Sequence, residues 1–157
     1  MAVKVKLKDI IDALEFAGDE HSFWLDRETG EVRRLTDEVV DLAEEETPLE
    51  EIPERMRADV EAARLVQDDT EHRYLELPGK LDIHDLDIMD CFASTVKDEK
   101  TQREIKHGIR GSDASQKFKR LLSEHNLRDA WQKFHDARLR EIAVQWCEDN
   151  EIGWREK

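Results

Sequence analysis

Apolar side chains in the second half of the chain recur every three or four residues, a spacing that favours helices over strands. Four such stretches follow one another, around residues 86–96, 105–109, 118–122 and 127–148. Gly111 is expected to end the second helix, and Asp113 with Gln116 three residues later has the pattern of a capping box that opens the third. We therefore expect a helical C-terminal half.

The first half contains the pattern of a small antiparallel sheet. The segments HSFWLD and EVRRLT flank RETG, in which Gly30 supplies the residue that a tight turn needs at positive φ. The segment HRYLELPG indicates a third strand. Helices are expected over residues 7–16, from Thr36 as a capping residue, and from Pro53 as a first helical residue.

Together these patterns predict an α+β fold, in which a small three-stranded antiparallel sheet has helices packed on one face. The length of 157 residues predicts a single domain spanning 1–157. No run approaches 18 uncharged apolar residues and the start has no long apolar stretch, so we expect neither a membrane span nor a secretion signal. The two cysteines, Cys91 and Cys147, show no recognisable spacing, which favours a reducing cytoplasmic location.

Negative charge is in excess and is unevenly distributed. The chain carries 25 basic and 39 acidic side chains, a formal charge of −14. Residues 1–70 hold 9 basic and 21 acidic side chains, whereas residues 100–120 hold 7 basic and 2 acidic ones. Because nucleic acid and anionic lipid repel a protein this acidic, nucleic acid is disfavoured as a partner and a membrane is not expected.

The basic segment 100–120 has two interpretations. Its charges can balance the acidic half within the fold, or they can form an anion-binding site at the start of the helix that follows Gly111. The candidate residues for anion binding are Arg110, Gly111, Ser112, Lys117, Lys119 and Arg120. Both interpretations stay open at this point.

The last predicted helix carries polar residues on its apolar side. Steps of 100° per residue place Arg138 and Gln145 near the centre of the apolar arc, where a guanidinium needs a partner. Trp154 lies near a terminus and must dock either on the domain or on a partner. We therefore take Trp131, Arg138, Gln145 and Trp154 as interface candidates.

Signals for catalysis are weak. His84, Asp87 and Asp90 could share faces of one helix and are the weak candidates for a metal site, although an acidic helix start accounts for the same residues. No nucleophile motif or phosphate-binding loop is present. We therefore assign no catalytic residue and expect no cofactor.

Several motifs resemble a known family when they are taken in order. They are LDRETGEV, YLELP, IHDLDIMDCF, IRGSDASQKFK and LRDAWQKFHDARLREIAVQWCEDNEI. In this order they resemble, over the whole chain, an uncharacterised bacterial protein family, number 0158 of the UPF series. The chain departs from the family pattern at Ser112, Asp113, Ser115 and Gln116, where similar proteins are more basic and aromatic. The resemblance implies a bacterial cytosolic protein and brings no catalytic residues with it.

These observations favour a non-enzymatic protein-interaction or regulatory domain with an unidentified protein partner. One alternative is binding of nucleic acid or a phosphate ligand through the basic segment 100–120. The other is a metal-dependent enzyme similar to a phosphohydrolase, built on the histidine and aspartates near residues 84–90.

Overall fold

Strands lie in the first half of the chain and at its C-terminal end, whereas the second half is helical. The computed structural model describes residues 4–18 and 20–156. Its strands are β1 (Val5–Lys6), β2 (His21–Asp26), β3 (Val32–Thr36), β4 (Tyr74–Glu76) and β5 (Trp154–Arg155). Its helices are α1 (Leu7–Glu15), α2 (Asp37–Glu44), α3 (Glu54–Gln67), α4 (Lys80–Ile83), α5 (Asp85–Thr95), α6 (Glu99–Gly108), α7 (Ala114–Glu124) and α8 (Arg128–Asp149), with a 3-10 turn at Leu49–Glu51. Within the described ranges, no helix is both long and apolar enough to cross a membrane.

Gly30 turns the chain between β2 and β3. It lies at φ 79°, in the left-handed region that glycine enters without strain. Its amide donates to the carbonyl of Asp26 at 2.8 Å. Strand β4 pairs with the other side of β2, which gives the order β3-β2-β4 with antiparallel pairing throughout. The predicted α+β fold with a three-stranded antiparallel sheet is therefore confirmed.

The chain divides into two compact units, and the excess negative charge belongs to one of them. The sheet unit comprises Met1–Asp82 and Ala143–Lys157, and the helical unit comprises Ile83–Ile142. The sheet unit holds 13 basic and 28 acidic side chains, a formal −15, whereas the helical unit holds 12 basic and 11 acidic ones, a formal +1. The single domain expected from the length stays a prediction.

Helices α2 and α3 form the main apolar contact of the sheet unit. They pack against Leu35 of β3, and Trp24 of β2 lies at the edge of the same cluster. The buried helical members are Val39, Ala43, Met56, Val60 and Ala63. The hydroxyl of Thr36 accepts a hydrogen bond from the Val39 amide at 3.3 Å, so this residue caps α2 as predicted.

The helical unit is built around an aromatic cluster, which we define as Phe92, Phe118, Trp131 and Phe134. Phe118 and Trp131 meet edge to face with ring centroids 4.7 Å apart, and Phe92 lies 5.4 Å from Trp131. Such aromatic pairs contribute about 0.5–1.5 kcal/mol beyond the area that they bury. The cluster joins α5, α7 and α8.

Several predicted boundaries were wrong. Helix α6 ends at Gly108 rather than at Gly111, and Gly108 packs so closely on α7 that an added Cβ would lie 3.4 Å from Leu121 Cδ1. Asp113 precedes α7 at φ 59°, and its side chain accepts no capping bond. A capping residue needs an extended backbone, so the predicted capping box does not form. Pro53 occupies the cap position of α3 rather than its first turn.

The parallel pair of β1 and β5 was not predicted. Val5 lies opposite Trp154, and the amide of Val5 donates to the carbonyl of Gly153 at 2.9 Å. Two residues are too few to show the alternation that identifies a strand. The pairing docks Trp154 on the sheet unit.

An ion pair links the hairpin to the segment that leads into β4. Arg73 donates to both carboxylate oxygens of Asp26, at 2.9 and 2.8 Å, and the Asp26 side chain is only 15% exposed. The hydrogen bond from Arg73 holds the pKa of Asp26 below its usual range. Arg33 and Asp59 form a second pair at 3.3 Å, in which both side chains are about half exposed.

We expect Asp26→Asn to lower the free energy of unfolding by about 1–2 kcal/mol at pH 7, because it removes a charge-assisted hydrogen bond. The native carboxylate has the lower pKa, so its contribution is present above the unfolded pKa of about 4 and is lost as the pH falls through the native value. Urea unfolding at pH 7 and near pH 3 would measure a difference that shrinks in acid. The exposed Asp59→Asn is the control, with a change of at most about 0.5 kcal/mol. Equal losses in both variants, or a difference that persists in acid, would contradict this role.

Candidate functional site

Helix α2 and the chain that leads from it into α3 carry the densest negative charge, and we call residues 37–54 the acidic segment. It has no lysine or arginine. Its nine carboxylates belong to Asp37, Glu38, Asp41, Glu44, Glu45, Glu46, Glu50, Glu51 and Glu54, and all nine residues are exposed. Among the residues that the structure describes, none of these carboxylates forms an ion pair or a side-chain hydrogen bond. The acidic segment therefore presents uncompensated charge to solvent.

Local helix energetics account for only some of these carboxylates. Asp37 and Glu38 lie in the first turn of α2, where the positive end of the helix dipole favours them. Glu44 is the last residue of α2 and Glu45 its C-cap, at the end where carbonyl groups already concentrate negative charge. Glu46 follows at φ 56°, in the left-handed region. A carboxylate at this end disfavours the helix by about 0.3–1 kcal/mol, so helix stability does not explain Glu44, Glu45 and Glu46.

The basic segment 100–120 is organised by α6. Arg103, Lys106 and His107 lie in α6 at a spacing that places residues on one helix face, and Arg110 follows in the turn after the helix. We call these four residues the basic face of α6. Lys106 is half-buried and the other three are exposed. The sequence analysis singled out only Arg110 of this set. The spacing of the four residues is visible in the sequence, but the predicted anion-binding site was centred on the turn at Gly111.

The structure separates the predicted anion-binding residues. The ammonium of Lys117 lies beside Gly111, 3.5 Å from where an added Cβ would stand, next to Arg110 at the end of α6. Arg120 points to Glu124 instead, at 3.6 Å. Ser112 and Lys119 are exposed, in the turn and on α7 respectively. Anion binding by the six residues stays a prediction, and of the six only Lys117 and Gly111 are shown close together.

The placement of Arg138 and Gln145 at the centre of the apolar arc of α8 was wrong. The buried line runs through Leu139, Ala143 and Cys147, which are all 0% exposed. Gln145 is exposed and donates to Asp149 at 2.8 Å. Ala143 and Cys147 have small side chains, which allow close packing. The predicted apolar arc was instead centred on the large aromatic residues of the helix.

Arg138 is partly satisfied within its own helix. Its Nη1 donates to Glu141 at 2.7 Å, and the side chain is 43% exposed. Its Nε is buried and has no hydrogen-bond partner in the structure. Trp131 is half-buried in the aromatic cluster. Both therefore have structural roles, and their part in an interface stays a prediction.

The histidine and aspartates near residues 84–90 do not come together as metal ligands. Over residues 4–18 and 20–156, no group of three or more histidine, cysteine or acidic side chains is placed to hold a metal ion. His84 lies at φ 56° ahead of α5, outside the helix that carries Asp87 and Asp90. The helical face expected for His84 with Asp87 is therefore wrong, whereas Asp87 and Asp90 lie three residues apart in α5 as expected. Asp85 faces His135 instead, at 3.6 Å.

The cysteines differ in accessibility. Cys91 is exposed on α5, whereas Cys147 is fully buried. Burial, with a smaller contribution from Glu148, raises the pKa of the Cys147 thiol to about 11. Since the thiolate is the reactive form, Cys147 is a packing residue at neutral pH.

A cavity of about 220 Å³ lies between α3 and the sheet in the sheet unit. Trp24, Leu65 and Tyr74 are among its lining residues. The two arginines that reach it, Arg33 and Arg73, are already paired with Asp59 and Asp26. The cavity therefore offers apolar surface without an unpaired cation to orient an anionic ligand.

Comparison with known proteins gives one match. The model of an uncharacterised protein family, UPF0158, covers residues 2–156. No curated protein and no solved structure matches the chain. The match spans nearly the full sequence and confirms the family resemblance inferred from the order of the sequence motifs. The chain therefore belongs to the UPF0158 family.

Proposed function

We propose that this protein is a non-enzymatic interaction domain that binds a positively charged protein surface through the acidic segment. One observation carries the proposal: Glu44, Glu45 and Glu46 lie exposed and unpaired at the end of α2 that disfavours negative charge. Features that break a local rule without a compensating contact are most often found at functional sites.

The chemistry of the segment favours a protein carrying lysine and arginine. Nine carboxylates in 18 residues create a strong negative potential, which speeds the encounter with a cationic surface and disfavours partners of like charge. Buried apolar residues such as Val39 and Ile52 hold the segment on a packed scaffold. A partner would therefore meet carboxylates whose backbone is already ordered, which lowers the entropic cost of binding.

Removing the unfavourable charges should stabilise the fold. We expect Glu44→Gln/Glu45→Gln/Glu46→Gln to raise the free energy of unfolding by roughly 0.5–2 kcal/mol at low ionic strength, with a smaller gain at high salt. Urea unfolding at two salt concentrations measures both effects. Glu38→Gln, at the opposite end of α2, is the matched control and should lower stability by about 0.3–1 kcal/mol. A loss of stability in the triple variant would show that these carboxylates support the fold.

The same triple variant should lose its partner. We expect the tagged wild-type protein to retain a defined protein from a bacterial lysate at low salt, with or without nuclease, because the contact is between protein surfaces. The triple variant should release that protein. Asp68→Asn/Glu71→Gln/Glu76→Gln removes three exposed carboxylates elsewhere in the sheet unit and should keep it.

Mass spectrometry of the three eluates identifies the retained protein. An empty wild-type eluate, or equal retention by the triple variant, would refute the proposal. Retained material that nuclease removes would instead favour nucleic-acid binding through the basic segment.

A further inference from the structure

The basic face of α6 lies on the side of the helix opposite its packing contacts. Thr101, Ile105 and Gly108 are the buried residues of α6, and they follow one another at helical spacing. At 100° per residue, Arg103 stands about 170° from that buried line, and Arg110 follows in the exposed turn after the helix. The basic face therefore takes no part in the core of the helical unit.

The positive charge of the basic face is not compensated by the carboxylates that the structure describes near α6. Arg103 Nε donates only to the carbonyl of Glu99 in its own helix, at 3.3 Å. Glu104 is engaged by His125 at 3.2 Å. In the part of the chain that the structure describes, no side chain of the basic face forms an ion pair. The ammonium of Lys117, beside Gly111, extends the positive surface past the end of the helix.

We propose that the basic face of α6 binds the acidic segment of a second copy of this chain. The argument is charge complementarity: the same sequence carries an unpaired basic helix face in the helical unit and nine unpaired carboxylates in the sheet unit. The inference rests on the proposed function, because it takes the acidic segment as a docking surface and names one of its partners. A single such contact leaves one surface of each kind free in a pair of copies, whereas a two-fold pair makes the contact twice.

A second copy fits this face better than nucleic acid does. Duplex DNA carries one charge per about 1.7 Å of its axis, so the formal −15 of the sheet unit would repel it along its length. The acidic segment concentrates its charge in 18 residues and can meet the α6 face locally. Beyond about 8 Å, physiological salt screens the remaining charges of the two copies.

Sedimentation of the full chain over a range of concentrations tests the inference. In about 0.15 M NaCl the weight-average mass should rise with protein concentration, and about 1 M NaCl should abolish the rise. We expect Arg103→Glu/Lys106→Glu/Arg110→Glu to raise the dissociation constant by about tenfold or more. Lys119→Glu/Arg128→Glu/Lys133→Glu changes the net charge equally on exposed positions outside the face and should associate like the wild type.

A mixing experiment distinguishes loss of the contact from loss of the fold. Glu44→Lys/Glu45→Lys/Glu46→Lys changes the formal charge of the acidic segment from −9 to −3, with six carboxylates left against three lysines, so this variant alone should be monomeric, as should the α6 variant. An equimolar mixture should form pairs, because the intact acidic segment of one variant meets the intact basic face of the other. Pair formation also requires that both variants are folded.

A lysine-rich peptide separates the failure of this inference from the failure of the proposed function. Binding of decalysine to a wild-type protein that stays monomeric would overturn self-association and leave the proposed function standing. A protein that neither binds the peptide nor self-associates would overturn both. Association that persists unchanged in the α6 variant, or two variants that fail to pair on mixing, would overturn the assignment to this face.

Discussion

Repulsion between carboxylates constrains the arrangement of the whole sheet unit. A formal charge of −15 on this unit opposes compaction. Burial of an uncharged core that includes Leu35, Val39 and Val60 offsets this repulsion. Asp26 places a carboxylate within the sheet, at the end of β2, and Arg73 donates two hydrogen bonds to it. Exposed carboxylates, such as those of the acidic segment, are solvated by water instead. The apolar side chains of the unit are thus buried, whereas its charged groups are either paired or solvated.

The helical unit meets a different constraint, because its formal charge is close to zero. Its order comes from the aromatic cluster, in which Phe92 of α5 and Trp131 of α8 join helices that are distant in sequence. Helix α6 contributes Ile105 and a close approach at Gly108 to this packing, and its other side is free of structural duty. If the proposed contact forms, charge on that side acts on association more than on the packing of the unit.

Sequence patterns predicted the features that depend on periodicity and turn chemistry, and they failed where single residues take unusual backbone angles. The hairpin followed from alternation and from Gly30, and the start of α2 followed from Thr36. His84 and Asp113 both lie in the left-handed region, which few non-glycine residues enter, so the metal face and the capping box inferred from their spacing were wrong.

The candidate site was less predictable than the fold, because its significance depends on partners that a sequence does not display. The sequence revealed the acidic and basic segments as charge counts. It did not reveal that Glu44–Glu46 stand unpaired at the unfavourable end of a helix, or that Arg103 faces away from the packing of α6. The apolar arc of α8 that was predicted to include Gln145 was misplaced. The buried residues of this part of the helix are the small Ala143 and Cys147, whereas the predicted arc was centred on larger side chains.

The two charged surfaces also limit each other through the charge of the whole molecule. A local contact between the acidic segment and the basic face is attractive, yet each copy brings a formal −14 with it. At low ionic strength the long-range repulsion between copies grows with the Debye length, and at high ionic strength the local pairs are screened. Attraction therefore exceeds repulsion only over an intermediate range of salt. In an open chain of copies each addition would bring a further −14, so the repulsion would oppose growth of the assembly.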